Sequence, residues 1–298
     1  MACLPAGSNL VELTFKSMNF IYPVFAAILQ AASFTIDKLT LSVKNVSYKT
    51  YTGVSFPLIF LVNLVIFAIF QPPIPLSLLS QTGWLIVISV LMGVVSNIIF
   101  YRALDHDKLS EMETLSLLNS IPIIIFSSII FSSERNMAVI IPALIASLAV
   151  IWSHWQRQHF AIARYTLPFL IWSLAAAPIA ASISKILLQS WNPIALELVR
   201  SGALAAIFGI LYFNHAQRVS GKAFGLLILT NILTSVAWIL FFFSYQRSGI
   251  IYTILLFSLQ PLLVYFASVA YLKEKVSRKK AIAFGVVLLS IIAAQILA

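Results

Sequence analysis

Apolar residues run along this chain in ten long blocks separated by short polar breaks. The blocks are Asn19 to Leu41, Tyr51 to Phe70, Gly83 to Leu104, Ser110 to Phe131, Met137 to Trp155, Leu167 to Gln189, Pro193 to Phe213, Lys222 to Tyr245, Gly249 to Leu272 and Lys280 to Leu297. Runs of about 20 residues match the roughly 30 Å hydrocarbon core of a bilayer, so each block predicts a membrane-spanning helix. The flanks carry helix signals. Asn192 stands before Pro193 as an N-cap ahead of a proline at the first helical position, Ser220-Gly221 precedes the eighth block, and Gly249 separates the eighth from the ninth. Gly221 and Gly225, four apart, predict a close approach between helices.

One stretch occurs twice. Ser110 to Arg135 opens with Ser110 and Glu113 at the spacing of a capping box, passes Asn119 and Pro122, and closes on Glu134-Arg135. Gly249 to Lys275 carries Gln260-Pro261 and then Glu274; proline to glutamate is twelve residues in the first copy and thirteen in the second. That match predicts two related halves. Five helices per half is an odd number, so a tandem duplication sets the second half upside down. The expected fold is an all-α membrane protein with ten transmembrane helices as two inverted five-helix repeats. It divides into a tail over 1–18, a first repeat over 19–155, a linker over 156–166 and a second repeat over 167–298.

Composition narrows the class. Of 298 residues, 61% are hydrophobic and 9% charged, more apolar surface than a soluble domain of this length could bury. The chain reads as a multi-pass integral protein of a plasma or inner membrane, and residues 1–18 lack the continuous apolar core of a cleaved signal. The net charge of +10 sits in short loops. There it sets topology and meets the headgroups of the lipid bilayer, with no nucleic-acid partner implied. Counted over alternate loops, 14 of the 19 Lys and Arg fall on one side, and Lys16, Arg135, Lys185 and Arg247 on the other, with Arg200 inside a helix. The loop after Glu134 holds one basic residue and the loop around Glu274 holds five, as opposite facing of equivalent loops requires. Cys3 is the only cysteine, and His106, His154, His159 and His215 are scattered at predicted helix ends, so no metal and no cofactor are expected. Phosphate-cradling glycine loops, paired-histidine motifs and identifiable nucleophile–base pairs are missing, which argues against an enzyme.

The pattern resembles the drug/metabolite transporter superfamily, in particular its ten-helix EamA-like family. The resemblance rests on Phe100-Tyr101-Arg102-Ala103-Leu104 ending the third helix, on Pro122 with Glu134-Arg135 around the fourth, and on Trp172 with Lys185 in the sixth. Asn192-Pro193 with Arg200 in the seventh and Pro261 with Glu274 in the ninth complete it. The sequence departs from the family pattern where a Trp-Gly pair often stands about eight residues before a lysine: Gln30-Ala31 precedes Lys38 and Ala177-Pro178 precedes Lys185. The resemblance implies a secondary transporter of small organic metabolites, amino acids or similar amphipathic solutes, working by alternating access as a monomer, with a dimer as the alternative. Other readings are a drug or toxic-metabolite exporter, a channel, or a non-transporting scaffold. The resemblance puts both termini in the cytoplasm, whereas the positive-inside rule applied to the loop charges puts both outside.

Polar side chains in mid-helix are costly in lipid and so are site candidates. The third helix offers Asn97 and Tyr101 on one face. The eighth offers Asn231, Thr234, Ser235, Trp238 and Tyr245 as a stripe, although serines, threonines and asparagines also serve simply to bond across helices. Asn119 and Gln260 lie beside the prolines that free a backbone carbonyl, and Trp172 and Tyr252 add aromatic surface. Asn97, Asn119, Trp172, Asn231, Trp238 and Gln260 are expected around one central space, with Tyr101 and Tyr252 as further substrate-binding candidates. Arg200, roughly 10 Å along its helix from Pro193, either snorkels or pairs with Glu197 three residues before it. Glu113, Glu197 and Arg200 are candidates for coupling or gating. Glu113, Glu197 and Asp37 are the carboxylates available for proton relay, all read as standing near helix ends.

Overall fold

The computed structural model describes residues 8–156, 159–160, 163–216, 219–271 and 278–297. Cys3 and the predicted Lys273, Glu274 and Lys275 lie outside those residues. Twelve α-helices follow in order: α1 Ser8–Leu41, α2 Tyr48–Phe70, α3 Leu79–His106, α4 Leu109–Ser116, α5 Ser120–Ile130, α6 Met137–His154, α7 Thr166–Leu188, α8 Pro193–Ala216, α9 Gly221–Ser248, α10 Ile250–Phe257, α11 Leu259–Tyr271 and α12 Arg278–Leu297. At the predicted linker, Trp155–Gln156 pairs antiparallel with His159–Phe160. Eight helical stretches among the described residues are long and apolar enough to cross a bilayer, and two shorter apolar ones, Leu117–Ile130 and Met137–Ser153, accompany them.

Most predicted blocks match a helix to within a few residues, but α1 begins eleven residues earlier, inside the predicted tail, and two blocks are broken. The fourth becomes α4, a 3-10 turn over Leu117–Asn119, and α5. The ninth becomes α10 and α11, interrupted at Ser258. In both, the break sits three to five residues before the proline, where the missing N–H leaves a carbonyl unpaired and the ring crowds the preceding turn.

Caps explain the ends. Ser47 and Ser220 accept from the backbone N–H of Thr50 and Ala223, and Asn192 Oδ1 accepts from Ile194 N–H at 2.9 Å. Gln71, in the left-handed region at φ 45°, ends α2 ahead of Pro72-Pro73. The side chain of Ser110, the serine of the expected capping box, lies outside the described residues. The helix begins at Leu109, and the Glu113 carboxylate instead accepts from Gln260 Nε2 at 2.8 Å, because the bond across to α11 satisfies two buried groups at once.

α1 packs on α9 as α7 does on α3, α1 on α11 as α7 on α5, and α2 on α9 as α8 on α3, while α2–α8, α6–α12 and α4–α11 also pack together. α2 and α8 close most tightly. A Cβ on Gly53 would stand 3.0 Å from Tyr212 Cβ and 3.1 Å from its carbonyl oxygen, so only glycine admits that backbone. Gly221 and Gly225 do not make the expected contact, since nothing lies within 4 Å of a Cβ built on either. The outward faces carry exposed Ile69, Phe70, Trp84, Ile210, Phe213 and Leu289, a surface suited to lipid rather than water.

Glu134 ties three elements together. Its Oε1 accepts from Ile250 N–H at 2.8 Å and its Oε2 from Ile251 N–H at 3.0 Å, the first free donors of α10, and Oε1 also pairs with Lys185 of α7. Gly249, at φ 85°, makes room: a Cβ there would lie 2.6 Å from Glu134 Oε1. Glu134→Ala removes the ion-pair partner of the half-buried Lys185 and leaves two buried N–H groups unpaired, and is expected to destabilise the fold by about 2–4 kcal/mol. Gly249→Ala is expected to cost about 1–3 kcal/mol from strained backbone. Thermal melts of the purified protein in detergent, followed by circular dichroism, measure both; an unchanged melting temperature for Glu134→Ala would show that this junction is dispensable.

Candidate functional site

The two helix breaks open onto one cavity of about 450 Å³. α3 supplies Asn97 and Tyr101, α4 and the turn after it supply Glu113 and Asn119, and α8 supplies Glu197 and Arg200. α9 supplies Thr234, Trp238 and Tyr245, and Gln260 and Pro261 come from α11. Of the expected central cluster, Asn97, Asn119, Trp238 and Gln260 therefore share one space, joined by Tyr101 and by the three candidates for coupling or gating.

The other three candidates do other work. Trp172 donates Nε1–H to Ser96 Oγ at 2.8 Å and so ties α7 to α3 behind the cavity wall. Asn231 faces α2, where its Oδ1 accepts from Ser55 Oγ at 2.5 Å. Tyr252 turns toward α12, its hydroxyl accepting from Gln295 Nε2 at 2.6 Å, amid the core that α6 and α12 share. Each is a polar group bonding across helices, the alternative that residue type alone left open. Within the eighth-block stripe Thr234, Trp238 and Tyr245 line the cavity and Asn231 and Ser235 do not.

The polar lining is concentrated at the breaks. Glu113 Oε2 accepts from Gln260 Nε2, so one hydrogen bond spans from the α4 side to the α11 side, and Asn119 Oδ1 accepts from Ser173 Oγ at 2.9 Å. Asn97 donates Nδ2–H to the Gly93 carbonyl of its own helix at 2.7 Å. Arg200 neither snorkels to water nor closes to ion-pair distance with Glu197 among the described residues. Its guanidinium lies 5.2 Å from the Phe242 ring centroid, with Nη1 buried and without a hydrogen-bond partner. Glu113 Oε1 is likewise buried and unpartnered. The apolar lining is aromatic: Phe241 packs tilted against Tyr245 with ring centroids 4.5 Å apart, and edge-to-face with Phe257 at 4.7 Å and Trp238 at 5.3 Å.

Two lining positions went unnoticed as site residues. Gln30 in α1 is 2% exposed, lines the cavity, and has neither side-chain oxygen nor nitrogen bonded. Ala177 in α7 lines it too. Both stand eight residues before a lysine, where the family pattern has its Trp-Gly pair, and a lone glutamine inside PVFAAILQAASF was the signal available.

No curated protein matches the sequence. A crystal structure titled only as that of a protein superposes with a TM-score of 0.72 at 15% identity, covering 94% of this chain and 98% of its own, which fixes the fold alone. The sequence of residues 164–294 matches the profile of the EamA-like transporter family. Members of that family are transporters rather than enzymes, and the apolar helices make this an integral multi-pass membrane protein. Over residues 164–294, somewhat under half of its length, the chain is thus similar to the EamA-like transporter family.

Proposed function

We propose that this protein is a secondary transporter of small amphipathic metabolites, amino acids foremost, built as ten transmembrane helices in two inverted five-helix repeats and working by alternating access. The observation that carries the reading is the cavity onto which both broken helices open. At about 450 Å³ it has the volume of a small-molecule site. It offers the buried Nη1 of Arg200 and the buried Oε1 of Glu113, neither with a hydrogen-bond partner, beside an aromatic wall. A solute with a carboxylate, an ammonium and an apolar side chain satisfies all three. The helix contacts support the repeat, because a two-fold relation maps α1–α9 onto α7–α3, α1–α11 onto α7–α5 and α2–α9 onto α8–α3. The short stretches Leu117–Ile130 and Met137–Ser153 are read as the spans that complete ten.

Counterflow of labelled amino acids in proteoliposomes tests this directly. A transporter exchanges internal for external solute, a scaffold gives no flux, and a channel shows no stimulation by internal solute. Trp238→Ala is expected to lower counterflow about tenfold, equivalent to about 1.4 kcal/mol, without loss of folded protein. Unchanged flux would remove Trp238 from the site. Arg200→Gln is expected to weaken solutes bearing a carboxylate by more than about tenfold, and their methyl esters far less. Equal losses for acid and ester would mean that Arg200 is structural.

The loop charges favour a cytoplasmic position for the segment between α1 and α2, hence both termini outside. Lys44 is exposed in that segment. In a Cys3→Ser background, Lys44→Cys in intact cells is therefore expected to resist a membrane-impermeant thiol reagent. Labelling from outside would reverse the orientation and leave the transport reading intact.

A further inference from the structure

Asp37 stands apart from the cavity and no step so far uses it. It is fully buried in α1, although it is only four residues from the helix end. Its Oδ1 accepts from the Tyr51 hydroxyl of α2 and from Thr230 Oγ1 of α9, while Oδ2 has no partner among the described residues. The adjacent Lys38 ammonium is directed to the Leu104 and Asp107 carbonyls, at 2.6 and 2.8 Å. A carboxylate held this way inside a bilayer carries a charge that two hydroxyls only partly compensate, which is a large cost unless something neutralises it.

The same carboxylate is linked to the cavity. Thr234 lines the cavity, and its Oγ1 is hydrogen-bonded to Ser33 Oγ, which lies 2.8 Å from Thr230 Oγ1, which bonds to Asp37. Proton accounting gives this chain a direction. The single Thr230 proton goes to the carboxylate as the strongest acceptor nearby, so Ser33 donates to Thr230 and Thr234 donates to Ser33. Every proton then points from the cavity to Asp37. A second contact runs through aromatic rings: Tyr51 packs on Tyr101, which lines the cavity, with centroids 4.6 Å apart.

We propose that Asp37 is a proton-binding site that exchanges its proton with the cavity through Thr234, Ser33 and Thr230, and that its loading couples solute movement to the proton gradient. A proton arriving on Thr234 Oγ1 sends that hydroxyl's own proton to Ser33, Ser33 sends its own to Thr230, and Thr230 delivers the last to Asp37 Oδ1. The carboxylate becomes a neutral acid, the three hydroxyls are regenerated, and the reverse passage restores the charge. The titratable groups that interact with Asp37 are Tyr51 of α2, Tyr101 of α3 and Glu113 of α4. From α9, Thr230 and Thr234 face the network, while Arg247 near its end bonds Tyr22. Tyr252 of α10 bonds Gln295, and Tyr265 of α11 lies 5.3 Å under Lys280.

Two measurements separate this site from the transport reading on which only its coupling half rests. Infrared difference spectra of the purified protein across a pH titration should show the carbonyl stretch of a protonated carboxylic acid that Asp37→Asn lacks. Identical spectra for wild type and Asp37→Asn would overturn the proton site whether or not any solute is transported. In proteoliposomes, Asp37→Asn should keep counterflow while the ratio of uptake with and without a pH gradient falls to about 1, the value for zero coupling. An unchanged ratio would overturn coupling. If Asp37→Asn does not fold, Thr230→Val, which keeps the acid and breaks the hydroxyl chain, should slow gradient-driven uptake but spare counterflow. Equal slowing of both would overturn the relay. Wild-type protein without counterflow would refute transport and leave the infrared result to decide the proton site.

Discussion

Hydrocarbon offers no hydrogen bonds, so a backbone carbonyl freed inside a bilayer must face protein or water. This protein frees carbonyls twice, at Leu117–Asn119 before Pro122 and at Ser258 before Pro261, and both breaks face the same cavity. The rest of the bundle is arranged around that requirement. Long helices α1, α3, α7, α8 and α9 wall the cavity, and their outer faces turn exposed apolar side chains to lipid. The breaks also bring polar side chains to mid-bundle, where Glu113 and Gln260 meet across them.

Holding a broken helix in place needs a fixed start for its second piece. Glu134 provides one for α10, reaching from the end of the first broken helix to the first free N–H groups of the second. The carboxylate thereby satisfies helix donors, balances Lys185, and requires the glycine at 249. Arg135 next to it finishes α5 by donating to the Ser128 and Ile129 carbonyls at 2.8 and 3.0 Å. Two adjacent residues of opposite charge thus close one helix and open another, in the sense that the helix dipoles favour.

The two helix pairs that flank the cavity are built differently. α2 and α8 meet through Gly53 and Gly202, backbone close to side chain, with the stacked rings of Phe56 and Phe208 at 4.3 Å. α1 and α9 meet through buried hydroxyls, Ser33 with Thr230 and Thr234, above Asp37. Tight apolar contact resists sliding, whereas hydroxyls can exchange partners at small cost. The polar seam is the one a shifting pair of helices tolerates better.

Hydrophobic runs, prolines and loop charges act locally, and local information sufficed to place the helices: the bounds of α2, α3, α6, α7, α8, α9 and α12 fall within a few residues of the apolar blocks. Prolines at equivalent places in two blocks marked both helix breaks, and Asn97, Tyr101, Asn119, Trp238, Gln260, Glu113, Glu197 and Arg200 were legible as candidates because each is a polar or amphipathic intrusion into apolar sequence. Which intrusions share a space depends on how helices distant in sequence rotate against each other. That rotation sent Trp172 to Ser96, Asn231 to Ser55 and Tyr252 to Gln295, and it put Gln30 on the cavity wall. It also decided that Glu113 bonds Gln260 rather than its own helix start, and that Glu134 caps α10. Residue type fixes what a side chain demands of its surroundings, and only the tertiary structure chooses, among several groups able to meet that demand, the one within 3 Å.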